Sequence, residues 1–323
     1  MRKGILWAVV LLMLTIGICA PAAGAAEGAE RGDESETPAE FGTLAAPVEL
    51  GLDFTPGPLP DPARYTGDSY EDASIRVRTE TREEGGSIWH LAFVDVASAA
   101  QLRTWTANPA NLKSTTVRTV TKMTKQAQAV IAISGDNYMD HPTQTTYEVR
   151  MGQEIRRKSN RKKDILIIDL EGDFHFILSD PDADSKAHAE KTDSEIARYQ
   201  IANAYTFGPA LVMDGEVRTM RKDYSYNPNR PEPRAAIGQT GHLSYVLVIV
   251  EGRGKSKGVT HQELADFMAS LGCLQAYNLD GGNSAEMVFG ETVWRGQPRG
   301  DERGISDILY FATAVPGNGG DPE

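Results

Sequence analysis

The sequence predicts an α+β fold: a single domain with a central mixed or antiparallel β-sheet and a few helices. Three observations predict it. Runs of alternating apolar and polar residues recur along the chain, tight turns separate several of them, and one segment has the apolar spacing of an amphipathic helix. The domain is expected to span 72–315. A signal segment at 1–26 and a disordered linker at 27–71 are expected to precede it, and a flexible tail at 316–323 to follow it.

The expected strands follow one another from the start of the domain. Ile75, Val77 and Thr79 alternate with polar residues, which is the period of a half-buried strand. The run at 245–250 is apolar without interruption, which is typical of a strand buried on both faces. Further strands are expected at 88–96, 129–134 and 274–279, and hairpins at 165–178 and 210–218.

One helix is expected, beginning after Thr260. Thr260 and Glu263 have the spacing of a capping box, in which each side chain bonds the backbone N–H of the other residue. Apolar side chains then fall on one face, and Gly272 ends the helix. With a strand on either side, this segment predicts a βαβ-like unit within the otherwise antiparallel or mixed sheet.

The composition is that of an ordinary soluble globular protein with an acidic surface. The chain has 323 residues, of which 24% are charged and 40% hydrophobic, and its formal net charge is −12. These fractions exclude collagen, coiled coils and multispan membrane proteins. Because negative charge repels polyphosphate, no nucleic-acid partner is expected. Two cysteines are too few for a disulfide scaffold.

The first 26 residues have the three-part pattern of a secretory signal peptide. Arg2 and Lys3 precede an uncharged apolar run that ends at Cys19, and small residues follow, with a cleavage position after Ala25. The run is short for a membrane span, which needs about 20 residues. We therefore expect cleavage and a secreted or cell-envelope protein. An uncleaved anchor is the alternative, and it would be the expected contact with a membrane.

Residues 27–71 have a composition typical of disorder. Acidic residues predominate up to Glu40, and five prolines follow from Pro47 to Pro62. Such a stretch contains too little apolar surface to order itself. We therefore expect a dispensable tether, which proteolysis would trim to a resistant fragment starting near residue 72.

Several features that resemble binding sites are interpreted as structural. The acidic loop of Asp180, Asp182 and Asp184 lacks the turn glycine and the final glutamate of a calcium loop. The basic cluster at 156–163 is interpreted as a solvated hairpin tip, since the chain is acidic overall. No two histidines have the spacing of zinc ligands, and Cys273 is interpreted as a buried apolar residue.

The segment at 277–284 has the composition of a ligand-binding strand end. An apolar strand leads into Asp280, Gly281 and Gly282, which would place a carboxylate at a crevice and let backbone N–H groups approach an anion. A Gly-Gly hairpin turn is the alternative. The segment also supplies amide and hydroxyl groups from Asn278, Asn283 and Ser284.

Three other segments join the end of a strand to glycine and a polar residue. They are 134–138, with Asp136 and Asn137, 207–210, with Gly208, and 234–239, which begins with Arg234. The guanidinium of Arg234 offers a planar pair of donors that suits phosphate or carboxylate. A surface position after a proline-rich loop is the alternative for this residue.

The order of these segments resembles the phosphodiester glycosidase family, named for the lysosomal uncovering enzyme that removes N-acetylglucosamine from a phosphodiester. The chain is particularly similar to the bacterial exported branch, often labelled exopolysaccharide-biosynthesis proteins. The similarity covers nearly the whole domain: 134–138, Phe-Gly-Pro-Ala-Leu-Val at 207–212, 234–239, 251–253, Ser-Lys-Gly at 256–258, 263–265, Tyr-Asn-Leu-Asp-Gly-Gly at 277–282 and Arg-Gly-Ile-Ser-Asp at 303–307. It departs from the family pattern at Ser134, Ala235, Glu251, Asn283 and Ala285, where the family has Asn, Thr, Asp, Gly and Ser.

The resemblance implies hydrolysis at the anomeric carbon of a sugar-1-phosphodiester. A phosphate monoester leaves readily as an anion, so the general acid of ordinary glycosidases is less necessary. Asp280 is the first candidate for the carboxylate facing the anomeric carbon, as base or nucleophile, and Asp136 is the second. Arg234 and backbone N–H groups near Gly281 and Gly282 would stabilise the phosphate.

The expected partner is a glycan or sugar-phosphate polymer. No cofactor is certain; a calcium ion is compatible with such carboxylates, but no ligand set can be read from the sequence. The alternative function is a catalytically silent glycan- or phosphoglycan-binding envelope protein, which Asn283 and Ala285 would permit. The substrate-binding candidates are Asn137, Gly208, Arg253, Asn278, Gly281, Gly282, Asn283, Ser284 and Arg303.

Overall fold

The computed structural model describes residues 43–140, 146–158 and 160–316. The expected signal segment, part of the expected linker (27–42) and the end of the expected tail (317–323) lie outside the described residues. The α-helices of the described part are α1 (Val120–Ala127), α2 (Ser185–Ile196) and α3 (His261–Ser270). Its strands are β1 (Ser69–Glu71), β2 (Ile75–Glu84), β3 (Ser87–Val96), β4 (Leu102–Thr106), β5 (Ile131–Ser134), β6 (Tyr147–Arg150), β7 (Gln153–Arg157), β8 (Ile165–Asp169), β9 (Phe174–Ile177), β10 (Ile201–Tyr205), β11 (Ala210–Met213), β12 (Glu216–Val217), β13 (Arg234–Gly241), β14 (Ser244–Val250), β15 (Gln275–Leu279), β16 (Glu286–Phe289), β17 (Thr292–Arg295) and β18 (Asp307–Phe311).

The strands form three antiparallel sheets. The largest has eight strands in the order β1-β2-β3-β14-β13-β15-β11-β12. The second has the order β7-β6-β10-β8-β9, and the third β17-β16-β5-β18-β4. The predicted α+β class with a single domain is confirmed, and the expected central sheet is accompanied by two smaller ones.

Each sheet has one face on a shared core and the other face under a helix. Ile237 of the first sheet, Ile168 of the second and Leu309 of the third belong to one buried cluster. On the outer faces, α3 covers the first sheet, α2 the second and α1 the third through Leu264, Ile196 and Met123. Burial of this apolar area is the main force that holds the three sheets together.

The uninterrupted apolar run of β14 follows from burial on both faces. Leu247 and Ile249 point into the shared core, whereas Val246 and Val248 pack beneath α3. Successive residues of a strand point to opposite faces, so a strand between two apolar layers needs apolar residues at every position. The prediction for 245–250 is confirmed.

The predicted helix and βαβ-like unit are also confirmed. Thr260 and Glu263 form the capping box that begins α3. Both β14 and β15 pair antiparallel with β13, which lies between them, so the two strands flanking α3 run in the same direction. No helix in the described ranges is both long and apolar enough to cross a membrane.

Helices α1 and α2 were not expected from the sequence. The sequence of α1 is rich in β-branched residues, which lower helix propensity. Helix α2 is polar on most of its surface and has only three buried side chains. Asp184 caps its first turn by accepting bonds from the Lys186 and Ala187 backbone N–H groups, so the acidic loop leads into the N-terminus of this helix.

The expected linker is wrong over its described part, 43–71, which packs on the domain. Buried Arg103 donates to the backbone carbonyls of Gly51 at 2.8 Å and Asp53 at 2.7 Å. Tyr65 donates from its hydroxyl to the Val130 carbonyl at 3.0 Å, and β1 pairs with β2. The segment has too few apolar residues to form a core of its own. Its backbone is ordered because the Arg103 guanidinium, which lies 50 positions beyond Asp53, supplies the hydrogen-bond donors.

Candidate active site

The ends of strands from all three sheets meet around Asp280. Asp280 follows β15, and its backbone N–H donates to the Gly135 carbonyl, just after β5, at 3.0 Å. Asp136 accepts a 3.1 Å hydrogen bond from the Thr206 backbone N–H, just after β10. The segments that the sequence singled out at 134–138, 207–210 and 277–284 therefore lie together.

Two cavities open on either side of Asp280. The arginine cavity, about 280 Å³, is lined by Arg234, Arg253 and Arg303 together with the 281–283 turn. The acidic cavity, about 50 Å³, is lined by a set that includes Asp136, Asp140, Glu148 and Lys163. Phe207, Tyr226 and Asp280 line both cavities. One cleft therefore has a cationic side and an anionic side, with the Asp280 carboxylate between them.

The Asp280 carboxyl group has a raised pKa. Burial raises the pKa of Asp280 to about 6, because a low-dielectric site disfavours the charged form. Hydrogen bonds from Ser284 and Asn137 and the charge of Arg303 act in the opposite direction but do not cancel the rise. Above about pH 6 the group is a carboxylate of increased basicity, which suits a general base near neutral pH.

Arg303 reaches the cleft from the loop before β18. Its Nη1 donates to Ser284 Oγ at 2.9 Å, and its Nη2 donates to Asp140 Oδ1 at 3.2 Å. Since the Ser284 hydroxyl also bonds Asp280, it links the arginine to the carboxylate. About 40% of the Arg303 side chain is exposed, so the guanidinium has donors that face the cleft.

Arg253 lies on the opposite rim, after β14. Its guanidinium contacts Glu232 Oε2 through Nε and Nη2, both at 2.7 Å, and its Nη1 donates to Asn283 Oδ1 at 2.8 Å. Its backbone has a φ of 59°, in the left-handed region that residues other than glycine rarely adopt. The Asn283 side chain thus orients an arginine at the cleft.

Arg234 is bonded mainly to backbone carbonyls. Its Nε donates to Val259 O at 3.1 Å, its Nη1 to Tyr226 O at 2.9 Å, and its Nη2 to Asn227 O and Arg230 O at 2.8 and 3.2 Å. Burial lowers the pKa of Arg234 to about 10. A guanidinium has five N–H donors, so this arrangement leaves one for a ligand and indicates that Arg234 positions the 226–230 loop.

The glycines and Asn278 shape the backbone of the cleft. Gly282 has a φ of 60°, and its N–H donates to the Pro233 carbonyl at 2.9 Å, so that N–H is not directed at a ligand. A Cβ on Gly281 would lie 2.7 Å from the same carbonyl. The Asn278 side chain is buried and donates to the Gly208 carbonyl at 2.8 Å. These contacts hold the segments together, and Gly281 and Gly282 also line the arginine cavity.

A buried ionic cluster lies beneath the acidic cavity, and sequence reasoning missed its centre. The Arg150 guanidinium contacts Asp136 at 2.6 Å, Asp307 at 2.9 Å and Glu148 at 3.3 Å. Burial, together with Asp136, raises the pKa of Glu148 well above its usual range. It also raises the pKa of Asp307 to about 7. Three carboxyl groups around one cation retain a proton more readily, because like charges this close disfavour full ionisation.

The sequence contained one signal for this cluster. Glu148 and Arg150 alternate with Tyr147 and Val149 in β6, and a strand that alternates charged with apolar residues usually exposes its charged face. Both faces of β6 are buried here, because the charged face lies on the third sheet and the apolar face packs with α2. The sequence of β6 is compatible with an exposed or a buried charged face, and only the arrangement of the three sheets shows that this face is buried.

Lys163 is the second functional candidate that the sequence missed. The basic cluster at 156–163 was expected to be a solvated tip, but Lys163 is buried, and its Nζ donates to Tyr226 Oη at 2.6 Å. Burial lowers the pKa of Lys163, and the carboxylates of Asp136, Glu148 and Asp280 oppose that shift. The expectation is therefore wrong for this residue, which the 146–157 hairpin and the chain after it bring to the cleft.

An aromatic pair forms the wall common to both cavities. The rings of Phe207 and Tyr226 stack with centroids 4.1 Å apart and an angle of 5° between planes. This wall offers an apolar surface beside groups that bind hydroxyls and anions, as in many small-molecule sites. In the parts of the chain that the structure describes, no group of three histidine, cysteine or carboxylate side chains is arranged to hold a metal ion.

The chain is similar to known proteins both in sequence and in fold. The family model of the phosphodiester glycosidases matches residues 127–312, more than half of the chain. The SPbeta prophage-derived uncharacterized protein YomE of Bacillus subtilis (strain 168) is 27% identical over 202 residues, which make up 62% of this chain and 30% of that protein. The chain thus matches less than a third of this relative's length.

The solved catalytic domain of zebrafish N-acetylglucosamine-1-phosphodiester alpha-N-acetylglucosaminidase, auto-inhibited by pro-peptide, has a similar fold. Its TM-score is 0.57 at 15% identity, and the match covers 74% of this chain and 82% of that chain. The chain therefore belongs to the phosphodiester glycosidase family.

Proposed function

We propose that this protein hydrolyses the glycosidic bond of sugar-1-phosphodiesters in envelope polymers or exopolysaccharide, outside the cytoplasm. The observation that carries the proposal is the position of Asp280, which lines both the arginine cavity and the acidic cavity. The reacting carbon of such a substrate lies between an anionic phosphate and a sugar rich in hydroxyl groups. With the phosphate in the arginine cavity and the sugar in the acidic cavity, the Asp280 carboxylate faces the anomeric carbon.

The charges of the cleft orient the substrate. Arg303 and Arg253 attract the phosphate to the arginine cavity, where each guanidinium has a neighbouring side chain that holds its orientation. Carboxylates accept hydrogen bonds from hydroxyl groups, so the sugar lies toward Asp136 and Asp140. The reverse orientation would place the phosphate against carboxylates, which repel it.

The reaction then needs one carboxylate and a stabilised leaving group. As the C1–O bond breaks, its electron pair leaves with the phosphate monoester, and Arg303 and Arg253 stabilise the developing charge. Asp280 faces the oxocarbenium-like carbon and acts by one of two routes. It takes a proton from the water that attacks C1, or it forms a covalent bond to C1 that water then hydrolyses to release the sugar. The anomeric configuration of the product distinguishes these two routes. On the sugar side, Lys163 and Glu148 provide further polar groups in the lining of the acidic cavity.

The test is Asp280→Asn, which keeps the shape of the side chain but removes its charge. We expect turnover of a chromogenic sugar-1-phosphodiester to fall at least about a hundredfold, the lower range for the loss of a positioned acid–base group. Because the pKa of Asp280 is about 6, the activity of the unmodified protein should rise as the pH increases through 6. N-acetylglucosamine is the first sugar to test, since the zebrafish neighbour is named for it.

Asp266→Asn is the matched control, since Asp266 is exposed on α3 and its carboxylate accepts a hydrogen bond from the neighbouring Gln262 side chain. This variant should keep full activity. Near-normal turnover by Asp280→Asn would mean either that Asp136 is the reacting carboxylate or that the proposed enzymatic function is wrong. Calorimetric binding of the diester without turnover by the unmodified protein would favour the alternative of a catalytically silent phosphoglycan-binding protein.

A further inference from the structure

A groove lies next to the arginine cavity, and Arg253 lines both. The groove encloses about 200 Å³ between the loop after β14 and the loop after β17. Its walls include Lys255 and Arg299, which form no ion pair with any carboxylate in the described residues, and Ile88 contributes apolar surface. Glu251 also lines it, but the Glu251 side chain is bonded to His90 Nε2 at 2.8 Å.

The loop that carries Arg253 and Lys255 is held in place by its backbone. Gly252 N–H donates to the Gly296 carbonyl at 2.8 Å, so the two walls of the groove are joined at their base. The Ser256 hydroxyl donates to the Glu251 carbonyl at 2.6 Å and accepts from Ile88 N–H at 3.1 Å. The groove is therefore a preformed feature and not a gap between two loose loops.

Charge in this groove is opposite to that of the whole chain. Arg253, Lys255 and Arg299 outnumber Glu251 on its walls, in a protein of net charge −12. A local cationic surface on an acidic protein attracts an anionic ligand selectively, because the rest of the surface repels it. The groove adjoins the arginine cavity at Arg253, where the phosphate lies in the proposed function, and Asp280 does not line it.

Resting on that proposed function, we infer that this groove binds the leaving-group side of the substrate and selects polymers with a second anionic group beyond the scissile phosphodiester. Lys255 and Arg299 bind that second anion, which is the next phosphodiester of the polymer or the carboxylate of an acidic sugar. Ile88 contacts the carbon backbone between the two anions. The substrate class is thus a polyanionic glycan, not a neutral glycan with one phosphodiester.

The test uses three synthetic sugar-1-phosphodiesters that differ only at the end of a glycerol tail: uncharged, methyl phosphodiester or carboxylate, the last two with one negative charge each. Dissociation constants are measured by calorimetry on Asp280→Asn protein, which does not consume them, and turnover is measured in parallel on the unmodified protein. We expect a charged tail to bind about tenfold more tightly, since each of two exposed ion pairs contributes modestly. The gain should disappear in about 0.5 M salt, which screens exposed charges.

Lys255→Gln combined with Arg299→Gln should abolish the gain while leaving the uncharged substrate unaffected. The matched control is Lys186→Gln combined with Lys191→Gln, which removes two exposed charges on α2 and should retain the gain. A larger gain from the methyl phosphodiester than from the carboxylate identifies a phosphodiester polymer, and the reverse an acidic sugar. Equal dissociation constants for all three tails, or a gain that survives Lys255→Gln/Arg299→Gln, would overturn the inference. Preferential binding without any turnover would overturn the proposed function alone.

Discussion

Arg234 and Arg303 line the same cavity, but their guanidinium groups serve different purposes. Arg234 donates four hydrogen bonds to backbone carbonyls, whereas Arg303 donates to two side chains and is 40% exposed. Lysine has a compact ammonium group that cannot reproduce the planar donor arrangement of arginine. The same substitution should therefore have different consequences at the two positions.

Arg234→Lys should lower the melting temperature by about 4–8 °C, because roughly two net hydrogen bonds of about 1 kcal/mol each are lost. Arg303→Lys should leave the melting temperature within about 2 °C and reduce kcat/KM on a sugar-1-phosphodiester by at least about tenfold. Differential scanning fluorimetry and steady-state kinetics measure both quantities. A kinetic defect of Arg234→Lys without loss of stability would return this residue to the phosphate-binding role that the sequence suggested.

At the scale of elements, the sequence predicted those whose signal is local. Strands β2, β3 and β14 and helix α3 follow from periodicity and capping within a few residues. Helix α2 and the 43–71 segment were missed because what holds them lies elsewhere in the chain. The candidate site shows the same division: Asp280 stands in a recognisable motif, whereas Glu148 and Lys163 come to the cleft only through the second sheet.

The segment at 43–71 should be required for stability. A chain starting at residue 72 lacks the Gly51, Asp53 and Thr55 carbonyls that accept bonds from Arg103, and leaves its guanidinium without these acceptors. It also lacks strand β1 and the buried Tyr70 side chain. We expect it to melt at least about 10 °C below a chain starting at residue 43, a loss of about 3–5 kcal/mol.

Arg103→Met provides the check on this explanation. In the chain that starts at residue 72, this substitution removes the unpaired cation and should restore part of the lost stability. In the chain that starts at residue 43, it should instead destabilise. Equal melting temperatures of the two unsubstituted chains would show that 43–71 is the dispensable tether that its composition indicated.

At the scale of the whole molecule, several buried carboxyl groups have raised pKa values. Burial raises the pKa of Asp280 to about 6 and those of Asp307 and Glu286 to about 7. For such a group, the folded state holds its proton at a pH where the unfolded state has lost it. Stability therefore falls as the pH rises from the unfolded to the folded pKa and stays lower above it.

The histidines have the opposite effect in a different pH range. Burial lowers the pKa values of His90, His188 and His261 below their ordinary value of 6.5. Their contribution to stability increases as the pH rises through 6.5 and is complete about one pH unit higher, where the unfolded histidines have also lost their protons. Because the two sets of groups act in opposite directions between about pH 6 and 7.5, a substitution of one buried carboxyl group is needed to separate their effects.

Glu286 is the carboxyl group best suited to test this trend away from the cleft. It is buried in β16, its Oε2 lies 3.7 Å from Arg295 Nε, and its Oε1 has no hydrogen-bond partner among the residues that the structure describes. Glu286→Gln removes the cost of ionising this group, so at pH 8 it should stabilise the protein by about 2 kcal/mol, or roughly 4–8 °C in melting temperature. At pH 4.5, where the folded state already holds the proton, the effect should nearly vanish.

Glu291→Gln is the control, since Glu291 is exposed on the turn of the same hairpin. This substitution removes the same amount of negative charge and should change the melting temperature little at either pH. A Glu286→Gln effect that is the same at both pH values would mean that ionisation of the buried carboxyl group is not what destabilises the protein.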